Sequence, residues 1–208
     1  MNSKPVPLGN IVLVILAAGE SKRMGEPKQL LPWQGKTLIE RTIEKALAIH
    51  VKNVFIILGA NYFVIKNKIK NYPVEIIVNS EWKSGLGASI SRAVSGLMDV
   101  VPKFDGAMFI LADQPFVTSS YLKQMLTCFK PNSKQILTTK YNDGKLGVPT
   151  IFNRCYFEEL SNLSEDKGAN TIIKKYGNFV LSLDAPFENM DIDTEEDYER
   201  ALKIISKE

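Results

Sequence analysis

Short runs in which every position is apolar alternate along this chain with segments in which apolar residues recur every three or four places. The first run, "NIVLVILAA", is apolar at consecutive positions from Ile11, which is the pattern of a strand buried on both faces. In "TLIERTIEKALAIH", which follows it, Leu38, Ile39, Ile43, Ala46 and Leu47 share one helical face and Thr37 stands as an N-cap. The alternation continues: "NVFIILGA" and "YFVIKNKIKN", "VEIIVNS" and "ASISRAVSGLM", "GAMFILADQ" and "SSYLKQMLTCF" each predict a strand and then a helix. "QILTTKYNDGKLGVPTIFN" predicts two strands with a turn at Asn142-Asp143-Gly144, because Asp-Gly between extended segments suits a hairpin. "YFEELSNL" and "GANTIIKKYG" predict helices, "FVLSLDA" an extended segment and "TEEDYERALKIISK" a closing helix.

Strands alternating with helices imply βαβ units. The expected fold is α/β: three layers, with a mostly parallel, doubly wound (Rossmann-like) sheet and one antiparallel member. No repeat, low-complexity segment or linker divides the sequence, so a single domain over residues 1–208 is expected. Ligands of such sheets bind beyond the carboxyl ends of the strands.

With 26 Lys and Arg against 23 Asp and Glu, interspersed, the net charge of +3 provides no dense basic face, and nucleic acid is not expected as a partner. A local anion site stays open. Cys128 and Cys155 are far apart in a spacing that fits no metal or redox motif, so packed, reduced thiols are expected. "MNSKPVPLGN" has no apolar leader and "IVLVILAA" is too short to span a bilayer, which predicts a cytoplasmic protein without membrane contact. The lone histidine, His50, falls at a helix end away from every candidate motif and reads as structural.

One stretch carries chemistry: "LAAGESKRMGEPKQLLPWQGKTLIE", residues 16–40, directly after the first strand. At Gly19 a side chain would crowd an approaching ligand or forbid a positive φ. Successive N–H groups in such a turn form an anion nest, and Arg23 and Lys28 add cations suited to a polyphosphate. A tight turn with solvated basic residues is the alternative. Neither a P-loop nor the dinucleotide fingerprint is present. Asp113 ends the apolar run "FILA" just before Pro115, either as a Mg²⁺ carboxylate at the cleft mouth or as the N-cap of the next helix.

Residues 16–40 closely resemble the opening motif of the nucleotidyltransferases that act on the molybdenum cofactor: Leu-Ala-Ala-Gly-x-Ser-x-Arg-Met-Gly, then Pro-Lys, a leucine-rich strand and a Gly-x-x-Leu turn. Four later segments fit the same family in order: "NSEWKSGLGASISRAV", "LADQPFVTSSYL", "GVPTIF" and "DIDTEEDY". The resemblance implies a MobA-like fold of the nucleotide-diphospho-sugar transferase type, with a nucleotide-binding part over about 10–118 and an acceptor-binding part over about 119–208. By that resemblance Leu16, Ala17, Ala18 and Gly19 line base and sugar, and Ser21, Arg23 and Gly25 wrap the phosphates, while Lys28 neutralises charge on the α-phosphate. Asn79, Gly85, Leu86, Gly87 and Ser89 belong to the second nucleotide loop, although a glycine-rich helix entry serving only as a turn explains the glycines equally well. Mg²⁺ falls to Asp113 and to Asp193, with Asp191 as a rival and helix capping as the other role for Asp193.

The implied reaction is attack by an acceptor phosphate on the α-phosphate of a nucleoside triphosphate, with pyrophosphate released. The Ala17-Ala18-Gly19 form resembles the cytidylyl branch and favours CTP over GTP. The implied acceptor is molybdopterin, docked against "KLGVPTIF" and "LSEDKGANTIIKKY", with a molybdenum hydroxylase as the implied recipient. In that second segment Glu165 and Asn170 stand where the family has glycine and arginine, and Lys167 or Lys174 would have to replace the arginine. Trp33, Trp82 and Phe116 are candidate stacking faces, core or rim packing being the commoner use of such rings. A sugar- or polyol-phosphate nucleotidyltransferase and a non-catalytic cofactor carrier are the rival readings.

Overall fold

The computed structural model describes residues 10–100, 103–164 and 168–206. Nine strands and seven helices occur among them: β1 (Ile11–Ala17), β2 (Pro32–Trp33), β3 (Lys36–Thr37), α1 (Leu38–Leu47), β4 (Val54–Leu58), α2 (Tyr62–Ile69), β5 (Glu75–Val78), α3 (Leu86–Val100), β6 (Gly106–Leu111), α4 (Ser119–Cys128), β7 (Ile136–Lys140), β8 (Leu146–Asn153), α5 (Phe157–Ser161), α6 (Asn170–Lys175), β9 (Val180–Asp184) and α7 (Glu195–Ile205).

Seven strands form one sheet in the order β5-β4-β1-β6-β8-β7-β9. Within this sheet β8 alone runs against its neighbours, β6 and β7, and the other pairings are parallel. The antiparallel member is the one expected from the Asp143-Gly144 turn, where the Tyr141 N–H donates to the Lys145 carbonyl at 2.9 Å.

The uninterrupted apolar run of β1 follows from helices on both faces. Ile11, Leu13 and Ile15 point to the side covered by Ile39 and Ile43 of α1, Ile65 of α2 and Leu122 of α4. Val12, Val14 and Leu16 point to the side covered by Ile90 and Val94 of α3, Leu160 of α5 and Ile172 of α6. Thr37 caps α1 through a capping box with Glu40, and Thr194 caps α7 in the same way with Asp197.

A third, smaller cluster of Leu31, Trp33, Leu38, Met190, Ile192 and Ala201 packs the C-terminal segment against the residues following the first loop. It brings positions about 160 residues apart to one corner of the sheet, and the Ile192 N–H donates to the Asp113 carbonyl at 3.0 Å.

Two expectations need correction. The leucine-rich strand after Pro27 is a 3₁₀ turn over Lys28–Leu30, closed locally by Leu30 N–H to the Pro27 carbonyl at 2.8 Å, and only the short β2–β3 hairpin follows it. Both cysteines are free and exposed rather than packed, because Cys128 ends α4 on its solvent side and Cys155 lies in a surface turn. For Trp33 and Phe116 the commoner use of such rings holds: they pack edge to face at 6.0 Å in the third cluster and offer no stacking face.

β6 and β8 approach so closely at Gly106 that a Cβ there would stand 2.5 Å from the Phe152 carbonyl oxygen. Backbone oxygen in a sheet cannot rotate aside. Gly106→Ala is expected to destabilise the fold by about 1–3 kcal/mol, read as a lower denaturant midpoint at unchanged m-value.

Candidate active site

β1 and β6 are parallel neighbours, in register at Leu16 and Leu111, so both chains leave the sheet at the same tip. From β1 the chain folds back on itself. Ser21 takes φ +62° and Gly25 φ +70°, and the Lys28 N–H donates to Ser21 Oγ at 3.0 Å. Gln29, fully buried, donates its amide to the Ala17 carbonyl at 3.2 Å and the Gly19 carbonyl at 3.0 Å. These bonds tie residues 17–29 into a closed loop and aim the Lys28 side chain at the end of β6.

There the Lys28 ammonium lies between two carboxylates, 2.5 Å from Asp113 Oδ2 and 2.7 Å from Asp193 Oδ1. Arg23 Nη2 meets the other oxygen of Asp193 at 2.9 Å. Burial works against the charge on Lys28, but the charge and hydrogen bond of Asp113, with Asp193 behind them, outweigh it and hold the ammonium above its ordinary pKa. For Asp193, desolvation is outweighed by the hydrogen bond and charge of Lys28 and by Arg23, and its carboxyl sits below the usual range. Asp191 goes the other way: desolvation and the charge of Asp113 push it up, partly offset by Gln114, whose amide donates to it at 2.8 Å. Asp193, not Asp191, therefore shares the Lys28 ammonium with Asp113.

Asp113 Oδ1 is buried and has no hydrogen-bond partner. A carboxylate oxygen left dry and unpaired is costly unless it meets a cation. No group of three or more His, Cys, Asp or Glu side chains able to hold a metal occurs among the described residues. Two converging carboxylates with a free oxygen fit the needs of Mg²⁺, which takes one or two carboxylates and leaves its other positions to substrate oxygens and water.

Two cavities adjoin at Lys28. One, of about 250 Å³, is lined by Leu16, Ala18, Gly19, Leu86, Ser89 and Asp113 among others. The second, of about 410 Å³, is polar and is lined by Gly19, Ser21, Lys22, Arg23, Lys83 and Asp193 with Lys28. Gly85 borders both with φ +91° and ψ −168°, a conformation open essentially to glycine alone. Gly19 takes no positive φ, and the site of its missing Cβ faces open space.

Other expected residues sit further out. Ala17 and Gly87 are buried behind the cavity walls. Gly25 borders a separate hollow on the outer side of the loop. Asn79 lies beneath the second loop, where its amide donates to Ser89 Oγ at 3.1 Å and its oxygen accepts from the Glu81 N–H at 3.0 Å. A third cavity, of about 160 Å³, opens where "GVPTIF" meets α6 and shares Leu16 and Leu86 with the first. Asn170 stands on its rim, while Glu165 and Lys167 lie outside the described residues. His50, exposed at the end of α1 with φ +57°, lies in a different hollow with Asn10 and Lys52.

Sequence reasoning missed Gln29 and Gln114, while Trp82, a candidate stacking face, does border both cavities. A polar residue inside "KQLLPW" was the available signal for Gln29; nothing in the pattern marked Gln114.

The descriptor MobA-like NTP transferase domain matches residues 13–184. The chain is 30% identical over 201 residues to nicotine blue oxidoreductase of Paenarthrobacter nicotinovorans, covering 91% of this chain and 95% of that protein. It is 27% identical over 209 residues to purine catabolism protein PucB of Bacillus subtilis (strain 168), covering 94% and 98%. The crystal structure of Rv0371c from Mycobacterium tuberculosis H37Rv aligns with a TM-score of 0.78 at 29% identity over 93% of this chain and 97% of that one. A complex of Rv0371c with manganese aligns with a TM-score of 0.75 at 28% identity over 93% and 98%. No helix among the described residues is long and apolar enough to cross a membrane.

Proposed function

The chain belongs to the MobA-like NTP transferase family, and we propose that it moves a cytidylyl group from CTP onto the phosphate of a molybdopterin-type acceptor, with release of pyrophosphate. The observation that carries this reading is Lys28, fixed between Asp113 and Asp193 where a small cavity meets a larger polar one. A nucleoside fits the first and a triphosphate the second. In-line transfer needs positioning and charge neutralisation more than covalent help from the protein.

Arg23, Lys22 and Lys28 bind and orient the phosphates. Lys28 offers a fixed positive charge where the α-phosphate must pass, and its raised pKa keeps it protonated throughout the physiological range. Asp113 and Asp193 would hold Mg²⁺, as the unpaired Asp113 oxygen and the manganese complex of Rv0371c both support. Bound there, the metal supplies charge screening between phosphates and an anionic nucleophile. No general base is required, because a phosphate monoester is already largely ionised near neutral pH. CTP is favoured on Ala17-Ala18-Gly19, and the third cavity offers a place for the acceptor ring. A molybdenum hydroxylase would receive the product.

The name of the Paenarthrobacter relative favours a second reading, redox chemistry in the same cleft. One assay separates the readings: pyrophosphate release from CTP, GTP, ATP and UTP with Mg²⁺, with and without molybdopterin, run beside NADH and NADPH oxidation. Turnover of CTP only when molybdopterin is present is expected. Turnover with a sugar or polyol phosphate alone would move the acceptor. Tight molybdopterin binding with no turnover of any triphosphate would leave a carrier, and oxidation of a reduced dinucleotide would establish the redox reading.

A further inference from the structure

Within the polar cavity the cations of the first loop are already engaged: Lys22 pairs with Glu20 at 3.4 Å, Arg23 with Asp193, and Lys28 with Asp113 and Asp193. Lys83 lines the same cavity from the turn that follows β5, and among the described residues no carboxylate pairs with it. Its ammonium lies over the indole of Trp82, 5.3 Å from the ring centroid.

Trp82 itself has little freedom. It opens a 3₁₀ turn over Trp82–Ser84, closed by Ser84 N–H to the Glu81 carbonyl at 2.9 Å and braced below by Asn79. Its stem rests directly on the backbone after β4: a Cβ at Gly59 would stand 2.5 Å from Trp82 Cβ and 2.9 Å from the Ala18 carbonyl oxygen. The half-buried indole borders both the nucleoside-sized and the polar cavity, so a molecule that spans them must pass over it.

We propose that Trp82 and Lys83 form the second jaw of the nucleotide site. The indole is the wall against which the ribose lies, and Lys83 binds the outermost phosphate from the side facing Arg23. Lys83 thereby sets the preference for a triphosphate over a monophosphate, a contact that grips the leaving pyrophosphate and not the transferred group. This rests on the nucleotide-binding reading above.

The chain has two tryptophans, and Trp33 is buried in the third cluster away from the cavities. In the Trp33→Phe protein all indole emission therefore comes from Trp82. Titration with CTP and Mg²⁺ is expected to change that emission saturably, with the same midpoint that calorimetry gives. Lys83→Ala, at an exposed position where the fold is unaffected, is expected to weaken CTP roughly five- to tenfold and leave CMP unchanged, with Lys83→Arg restoring most of the loss.

Calorimetric CTP binding without any change in Trp82 emission would overturn the inference while leaving the nucleotide reading intact. So would a Lys83→Ala protein that binds CTP as wild type does, or loses CTP and CMP equally. Absence of heat with all four triphosphates would remove the nucleotide reading, and this inference with it.

Discussion

Asp113→Ala is expected to lower kcat for nucleotidyl transfer by on the order of a thousandfold, the equivalent of about 4 kcal/mol of transition-state stabilisation. Its unfolding transition should stay near that of the wild type. Asp113 does two separable jobs. Its backbone carbonyl anchors the C-terminal segment by accepting from the Ile192 N–H, and the substitution keeps that bond. Its side chain carries the unpaired Oδ1 and the bond to Lys28, and those are lost. Lys28 remains paired with Asp193, so no buried ammonium is stranded. Removing one partner of a buried pair is costly chiefly when the other is left uncompensated, and here it is not.

Pyrophosphate release under saturating CTP and Mg²⁺ measures the loss, and thermal unfolding measures the fold. Activity within tenfold of wild type would show that this carboxylate takes no part in the chemistry. Asp191→Asn is the matched control at the rival acid. Asp191 holds Gln114 rather than Lys28, so its removal should cost far less.

How much of this was legible beforehand follows from the range of the forces involved. Strand and helix identity rests on local periodicity, and β1 and α1 are plain because one is buried on both faces and the other on one stripe with a capping Thr37. The lone antiparallel β8 was announced by Asp143-Gly144. The leucine-rich segment was misread because Leu30 and Leu31 belong to two different contacts: the 3₁₀ turn after Pro27 turns Gln29 inward to the tip of β1, and only Leu31 joins the third cluster. Lys28 and Asp113 were visible as residues, from a resemblance spread over five ordered segments. The choice between Asp191 and Asp193 was not, because it depends on which way a three-residue stretch faces once Ile192 is plugged into the third cluster and bonded to Asp113. That alternation of acid, apolar residue and acid places the two carboxylates on opposite sides, one toward Gln114 and one toward Lys28. Trp82 was legible as a candidate face, but its place at the border of two cavities was not, because it depends on the close approach of its stem to Gly59 where two loops touch.

Lys28→Met is expected to reduce kcat by about a hundred- to thousandfold, the usual cost of removing one fixed positive or donor group from a transferring centre. What separates it from Asp113→Ala is the response to divalent cations. In the wild type the ammonium of Lys28 lies between the two carboxylates that would hold a metal, Asp113 and Asp193, so a cation arriving without nucleotide would have to compete with it. Methionine keeps an unbranched side chain one atom shorter and removes the charge, leaving the two carboxylates without the ammonium between them and Asp193 paired with Arg23. Repulsion between them should lower the stability of the metal-free protein, and Mg²⁺ or Mn²⁺ should restore it by mass action. Free Mn²⁺ should therefore bind Lys28→Met more tightly than wild type and Asp113→Ala more weakly, measured by calorimetry without nucleotide. Arginine at the same position should rescue little, since its fork is wider than the gap spanned by contacts of 2.5 Å and 2.7 Å. If both variants lose Mn²⁺ affinity together, the lysine is a structural bridge rather than the occupant of the cation position. Opposite signs would show that the ammonium and the metal share one place, with the incoming phosphates drawing Lys28 out of it.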